Sequence, residues 1–165
     1  MKKVGVIGYP LAHSLSPVLQ QAAFDQLGYD AYYEAWPTPP ERLVEVVESL
    51  RSNDCLGANV TIPYKETVIA LLDEIDARAM RTKGVNSIVN RNGLLHGYNT
   101  DVVGFLRALR EDASFDPAGA RVVVLGAGGA ARGDRAPASP GQLRHRQQRF
   151  IGLRSDRRVG VDRPL

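Results

Sequence analysis

CLGANVTIPYKE, residues 55–66, begins as a strand and ends as a cluster of chemistry-bearing side chains. Its first eight residues are mostly small, apolar or β-branched, which predicts a strand. Asn59 and Thr61 interrupt that run only near its carboxyl end. Pro63 then fixes the chain as it leaves, two residues before Lys65. In an open α/β sheet, ligands sit beyond the carboxyl ends of the strands, where loops from several strands meet. The flanking sequence decides whether this segment belongs to such a sheet.

On the amino-terminal side, KVGVIG (3–8) is an apolar run closed by glycine. Ser16-Pro17 predicts an N-cap followed by proline at the first helical position, opening a helix to about Leu27-Gly28. DAYYEAW (30–36) is aromatic-rich and strand-like. T-P-P-E (38–41) fits a capping box, ahead of a helix whose Leu43, Val44, Val47 and Leu50 share one face. On the carboxyl side the pattern predicts a helix from Lys65 to Ile75, with Val68, Leu71, Leu72 and Ile75 inward. GVNSIVN (84–90) and LLHGY (94–98) flank an Arg-Asn-Gly turn, a hairpin signal. Asn99-Thr100 opens a helix with Val102, Val103, Phe105, Leu106 and Leu109 apolar, and RVVVLG (121–126) is a buried-type strand. This alternation predicts an α/β fold, a mostly parallel sheet flanked by helices, with no internal repeat.

Four polar clusters fall where strands end and helices begin: Ser14/Ser16, Asn59/Thr61/Lys65, Asn86/Ser87 and Asn99/Thr100/Asp101. Their hydroxyls, amides and single ammonium suit a small polyhydroxylated carboxylate and lack the aromatic platforms a nucleobase would need. Each residue alone also has a structural reading: Ser16 and Asp101 as helix caps, Asn59 and Asn86 as turn residues. Lys65 fits that reading least. In the first turn of a helix the macrodipole disfavours a cation and so favours the neutral, proton-accepting amine. A carboxylate nearby would orient that amine; Glu66 is next in sequence and Asp101 is the distant candidate.

The chain has 165 residues, 44% of them hydrophobic, enough for one ordinary domain or a small domain and part of another. No apolar run is long enough to span a bilayer, and MKKVGVIGYP lacks the extended apolar stretch of a signal peptide. A cytoplasmic protein with no membrane partner is expected. Cys55, the single cysteine, excludes an internal disulfide and any cysteine-based metal site, and reads as a small buried apolar residue. The net charge of +3 is uneven: residues 133–165 carry eight arginines against three aspartates, with no lysine or glutamate, while residues 1–132 carry 13 basic and 15 acidic residues. The high pI therefore belongs to the last segment. That segment lacks the interleaved lysines and aromatics of a nucleic-acid binder, so no nucleic-acid partner is expected.

GAGGAAR (126–132), after RVVVLG, reads as a glycine turn whose backbone N–H groups face a pyrophosphate, or as an ordinary turn after a strand. Pro137, Pro140 and Gly141 then stand where the following helix should run. Apart from FIGL (150–153), residues 133–165 show little apolar periodicity, which predicts no packed structure for them.

GYPLAHSLSP (8–17), GANVTIPYKE (57–66), GVNSIVN (84–90), GYNTDVVGF (97–105) and VVVLGAGGAAR (122–132) together resemble the shikimate dehydrogenase family, motif by motif, in order and spacing. Several motifs in register are far more specific than one glycine loop. The resemblance covers residues 1–132. It implies a shikimate-binding α/β domain over residues 1–110 and the start of an NADP-binding Rossmann domain over residues 111–132, with the divergent segment at 133–165. It carries Ser14, Ser16, Asn59, Thr61 and Asn86 over as substrate contacts, and Lys65 and Asp101 as the catalytic pair. Gly126, Gly128, Gly129 and Ala130 become the cofactor turn. The implied reaction is reversible, NADP-dependent reduction of 3-dehydroshikimate to shikimate in aromatic amino-acid biosynthesis, with no metal.

After Arg132 the family pattern stops: the second strand, the Asn-Arg-type turn that reads the 2′-phosphate and the later substrate-site helix have no counterpart in residues 133–165. The expectation is a family member whose 165-residue chain is inactive alone. The alternatives are a non-catalytic shikimate-type binding protein and a nucleic-acid binder acting through its arginine-rich segment. Quinate as a further substrate stays open. The composition of 133–165 also fits translation out of frame. LRHRQQ (143–148), encoded CTT CGT CAT CGC CAA CAG, reads one nucleotide later as Phe-Val-Ile-Ala-Asn-Ser, a strand ending in an Asn turn.

Overall fold

In the computed structural model, which describes residues 1–118, β1 (Lys2–Gly8) is the strand about which two layers form. Alternate residues of β1 serve different cores. Ile7 joins the larger one, with Val47, Val60, Val68, Ile88 and Leu95, while Val6 joins a smaller one with Leu11, Tyr33 and Phe24. Burial on both sides explains why β1 reads as a continuous apolar run.

The remaining strands are β2 (Ala31–Pro37), β3 (Cys55–Val60), β4 (Glu74–Ile75), β5 (Ser87–Arg91) and β6 (Leu94–Tyr98). They form one six-stranded sheet in the order β2-β1-β3-β5-β6-β4. The pairings of β1 with β2 and β3, and of β4 with β6, are parallel; β5 pairs antiparallel with β3 and β6. The sheet is thus mixed: β5 runs against the other five strands, and with β6 it forms the hairpin. That hairpin turns through Asn92 and Gly93, both at positive φ (55° and 89°), as a two-residue turn matched to strand twist requires.

The helices are α1 (Ser16–Leu27), α2 (Leu43–Ser49), α3 (Ala77–Thr82) and α4 (Asp101–Arg107), the last continuing as a wider turn over Ala108–Asp112. α1 stops at Gly28, left-handed at φ 63°. There the Gly28 amide returns to the Asp25 carbonyl and the Tyr29 amide to the Phe24 carbonyl. α3 is capped by Asp76, whose carboxylate accepts the Arg78 amide, a cap with no counterpart among the sequence expectations.

Four local expectations change. Ser16 is the first helical residue and not the cap; its amide faces the Ser14 hydroxyl at 3.4 Å. The capping box at 38–41 does not form, because Thr38 is buried and donates its hydroxyl to the Trp36 carbonyl, and a short 3-10 turn (Pro40–Arg42) leads into α2. Val44 faces outward at 57% exposure while Val46 packs inward. The helix expected over 65–75 is a turn, then a 3-10 segment (Thr67–Leu71), then β4. Its end is pulled into the sheet: the Asp73 amide bonds the Leu95 carbonyl and the Asp76 amide the Gly97 carbonyl. Val68, Leu71, Leu72 and Ile75 nonetheless reach the core. Of the apolar residues of α4, Val102 is buried, whereas Val103 and Phe105 are exposed.

Gly57 sets the direction of β3. It lies at φ 141° beside a register shift in which Lys3 faces Cys55 but Val4 faces Gly57, a bulge that inserts Leu56. Beyond the bulge Ala58 and Val60 fall in the larger core, and Asn59 turns to the face that carries Tyr33. Cys55 is buried, as expected of a small apolar residue. The expected strand at 121–126, the glycine turn and residues 133–165 lie outside the described residues.

Candidate functional site

β1, β3 and β6 run in the same direction, so their carboxyl ends share one sheet edge; β5, antiparallel to them, begins at that edge. The topology alone therefore brings together the loop after β1 (Ser14, Ser16), the end of β3 and the turn after it (Asn59, Thr61, Lys65), the entry to β5 (Asn86, Ser87) and the exit from β6 (Asn99, Thr100, Asp101).

At the centre, Lys65 Nζ donates to Asp101 Oδ2 at 2.7 Å. The helix expected to start at Lys65 is a turn there, so Lys65 does not stand in the first turn of a helix of its own. Its backbone is held instead: the Lys65 carbonyl accepts the Val85 amide at 2.7 Å. Asp101 is held more firmly. Its amide donates to Asn99 Oδ1 at 3.0 Å, and its second carboxylate oxygen accepts Asn86 Nδ2 at 2.7 Å. Asn99 is itself buried, and its Nδ2 donates to the Thr82 hydroxyl and the Gly84 carbonyl.

Asn86 works at both ends. Nδ2 also meets Thr100 Oγ1 at 2.9 Å, while Oδ1 accepts the Thr100 amide at 3.0 Å and the Ser87 hydroxyl at 3.0 Å. Asn59 joins this group through Ser87: its Nδ2 donates to Ser87 Oγ at 3.1 Å and to the Asn86 carbonyl at 3.3 Å. On its other side Asn59 Oδ1 accepts the Tyr33 hydroxyl at 2.7 Å. Burial pushes the Tyr33 phenol up to about 12, so it is a hydrogen-bond donor throughout the neutral range.

Of the residues singled out from sequence, Lys65, Asn86 and Asp101 are in direct contact and Asn59 is one bond away. Ser14, Ser16 and Thr61 occupy the same edge, but among the described residues their hydroxyls do not bond to that group. Thr61 is anchored by its backbone, its amide donating to the Ile7 carbonyl. Gly126, Gly128, Gly129 and Ala130 lie outside the described residues. Ser87, Asn99 and Thr100 belonged to the polar clusters, but their bonding roles were not legible in the sequence. Tyr33 was missed, because alternation in β2 does not say which of two adjacent tyrosines turns toward β3.

The Lys65 and Asp101 side chains are 35% and 49% exposed, so a ligand can reach both. An ion pair this open contributes about 0–1 kcal/mol to stability. The surrounding bonds thus hold in place a pair that stability does not need. The amine can give or take a proton, the carboxylate can accept a hydroxyl hydrogen, and the nearby Ser and Thr hydroxyls can serve a polyhydroxylated ligand. Among the described residues no cluster of His, Cys, Asp and Glu suits a metal ion, and no helix is long and apolar enough to cross a membrane.

The family model of the shikimate dehydrogenase substrate-binding domain matches residues 6–88. A shikimate dehydrogenase (NADP(+)) of Methanopyrus kandleri is 50% identical over 129 residues, 78% of this chain and 44% of that protein. One from Halothermothrix orenii is 49% identical over 129 residues, 78% of this chain and 45% of that protein. Among solved structures, shikimate 5-dehydrogenase from Thermus thermophilus, crystallised with NADP(H) and shikimate, aligns with a TM-score of 0.75 at 41% identity, covering 81% of this chain and 50% of that one. The chain thus spans about half the length of the relatives it matches.

Proposed function

Because the chain belongs to the shikimate dehydrogenase family, through that family's substrate-binding domain, we propose that its polar sheet edge binds shikimate and 3-dehydroshikimate for NADP-dependent interconversion. The observation that carries the reading is the Lys65–Asp101 pair, open to a ligand, of little weight in stability itself, and fixed through Asp101 by Asn86 and Asn99.

In this reading Asp101 holds the Lys65 amine aimed at the oxygen of the reacting hydroxyl and hydrogen-bonds the substrate beside it. On oxidation of shikimate, the O–H bond breaks and its proton passes to Lys65 Nζ as the carbon–oxygen double bond forms. In the reverse direction the Lys65 ammonium returns that proton to the oxygen. NADP held at the turn of Gly126, Gly128, Gly129 and Ala130 would supply the hydride acceptor for the same carbon, and NADPH the donor in the reverse direction. Asn59 and Asn86, and the hydroxyls of Ser14, Ser16 and Thr61, hold the remaining hydroxyls and the carboxylate. Residues 1–110 are the substrate domain and 111–132 begin the cofactor domain, with Gly126, Gly128, Gly129 and Ala130 as its phosphate turn. The protein works in the cytoplasm.

Calorimetric titration of the purified chain with shikimate tests this. Binding that disappears in Lys65→Ala and in Asp101→Ala is expected. Absence of binding at millimolar shikimate, or binding that both variants retain, overturns it. With NADP added, the 165-residue chain alone is expected to leave shikimate unoxidised, because residues 133–165 do not follow the family pattern.

A further inference from the structure

We infer that Tyr33, which lies outside the family's polar motifs, is a positioning residue for the site, its hydroxyl holding Asn59 in the orientation that ties β3 to the Asn86–Asp101 group. The ligand-binding part of this inference rests on the proposed function; the structural part does not.

Asn59 is gripped from two directions. From the β5 side it is held by two long bonds, Nδ2 to Ser87 Oγ at 3.1 Å and to the Asn86 carbonyl at 3.3 Å. From the β2 side it is held by one short bond, the Tyr33 hydroxyl to Oδ1 at 2.7 Å. The tyrosine reaches across β1, the strand between β2 and β3, so this single bond fixes a site residue to a distant part of the sheet. Tyr33 is able to serve as an anchor. It is 6% exposed, packs with Val6 and Leu11, and lies with its ring centroid 6.4 Å from that of Phe24. Its backbone is also tied, the Tyr33 amide donating to Gln21 Oε1 of α1 at 2.8 Å.

The grip extends beyond Asn59. Asn59 donates to Ser87 Oγ, the Ser87 hydroxyl donates to Asn86 Oδ1, and Asn86 Nδ2 donates to Asp101 Oδ1. All four bonds, starting from the Tyr33 hydroxyl, run donor to acceptor in one sense toward the carboxylate, the arrangement in which neighbouring hydrogen bonds strengthen one another. Without the phenol hydroxyl, Asn59 Oδ1 loses its partner in a half-buried position. The amide then turns to find another, and the bond to Ser87 goes with it.

The test uses the full chain labelled with 15N, first without ligand. In Tyr33→Phe, which keeps the packed ring, the side-chain amide signals of Asn59 and of Asn86 are expected to shift. Those of Asn99, bonded elsewhere to Thr82 and Gly84, are expected to stay and so report that the fold is intact. Unchanged Asn86 signals overturn the inference. If Tyr33→Phe does not fold, the Tyr33 hydroxyl proton of the unsubstituted chain decides. Slow exchange with a cross-peak to the Asn59 amide supports the inference, and free exchange overturns it.

In the second arm shikimate is titrated. Tyr33→Phe is expected to weaken binding by about threefold to tenfold. Ser87→Ala should do the same, and the double variant should lose little more than either single one. Unchanged affinity in Tyr33→Phe, or losses that multiply as if independent, overturns the inference. If the unsubstituted chain binds no shikimate, the proposed function fails, and the ligand-free arm still decides the role of Tyr33.

Discussion

Lys65 Nζ lies 2.7 Å from Asp101 Oδ2, and the oxygen that Lys65 leaves free, Asp101 Oδ1, is taken by Asn86 Nδ2 at the same distance. The carboxylate is therefore used on both oxygens by side chains from two different strand ends. Asp101→Asn removes the charge but not the Asn99 cap on the backbone. We expect it to change unfolding stability by no more than about 1 kcal/mol, as for other half-exposed pairs, while shikimate affinity falls at least about tenfold, the usual scale for losing a charge-assisted bond. Urea unfolding and calorimetry on the same samples separate the two effects. A loss of several kcal/mol in stability would mean that the pair is structural.

Asn99→Ala should behave in the opposite way. The side chain is buried and makes three bonds, to Thr82, to Gly84 and from the Asp101 amide. Removing it strands two acceptors and a donor, at a cost of about 2–4 kcal/mol. Urea midpoints report it. A variant as stable as the unsubstituted chain would show that water replaces all three bonds.

Gly57 and Gly28 both sit at positive φ, yet their tolerance should differ. A Cβ on Gly57 would overlap the Ile88 carbonyl oxygen in the neighbouring strand, whereas one on Gly28 meets nothing within 4 Å. Gly57→Ala is expected to lose about 3 kcal/mol or more, because strand backbone must move. Gly28→Ala should lose only about 1 kcal/mol, the strain of the left-handed conformation. Similar losses at both positions, measured by thermal unfolding, would contradict this account of the bulge.

Tyr33 also gives the fold an alkaline limit. Its phenol is raised from 10.0 to about 12 by burial, so the folded chain holds this proton more tightly than the unfolded one. The contribution is fully present below about pH 10 and is lost as pH rises from there toward about 12, on the order of 2 kcal/mol in all. Urea midpoints measured between about pH 9 and pH 12 should fall more steeply for the unsubstituted chain than for Tyr33→Phe. Parallel curves would show that Tyr33 does not titrate differently on unfolding.

Much of this fold is legible in the order of its residues. The strands at 3–8, 30–36 and 55–62, the Asn92-Gly93 turn and the Gly28 stop are local matters of side-chain periodicity and backbone conformation, which neighbouring residues settle among themselves. The polar residues at strand ends are visible for the same reason, since they break an apolar pattern. What sequence periodicity could not weigh was competition from distant partners. Residues 65–75 carry a helical pattern, but the Leu95 and Gly97 carbonyls draw the Asp73 and Asp76 amides into the sheet. Thr38 has the spacing of a cap, but burial turns its hydroxyl to the Trp36 carbonyl.

The site divides along the same line. Sequence by itself determined which side chains were available at the sheet edge. Spacing alone offered Asp101 and Glu66 alike as carboxylates for Lys65, and only the family resemblance singled out Asp101, 36 positions away. Tertiary structure supplies the physical means by which that distant carboxylate meets the amine. The parallel run of β3 and β6, with β5 between them, brings the Lys65 turn and the start of α4 to one edge, and Asn86 and Asn99 fix Asp101 there. Tyr33 was decided only in three dimensions too, because its hydrogen bond to Asn59 spans an intervening strand, a direction in which sequence has no order.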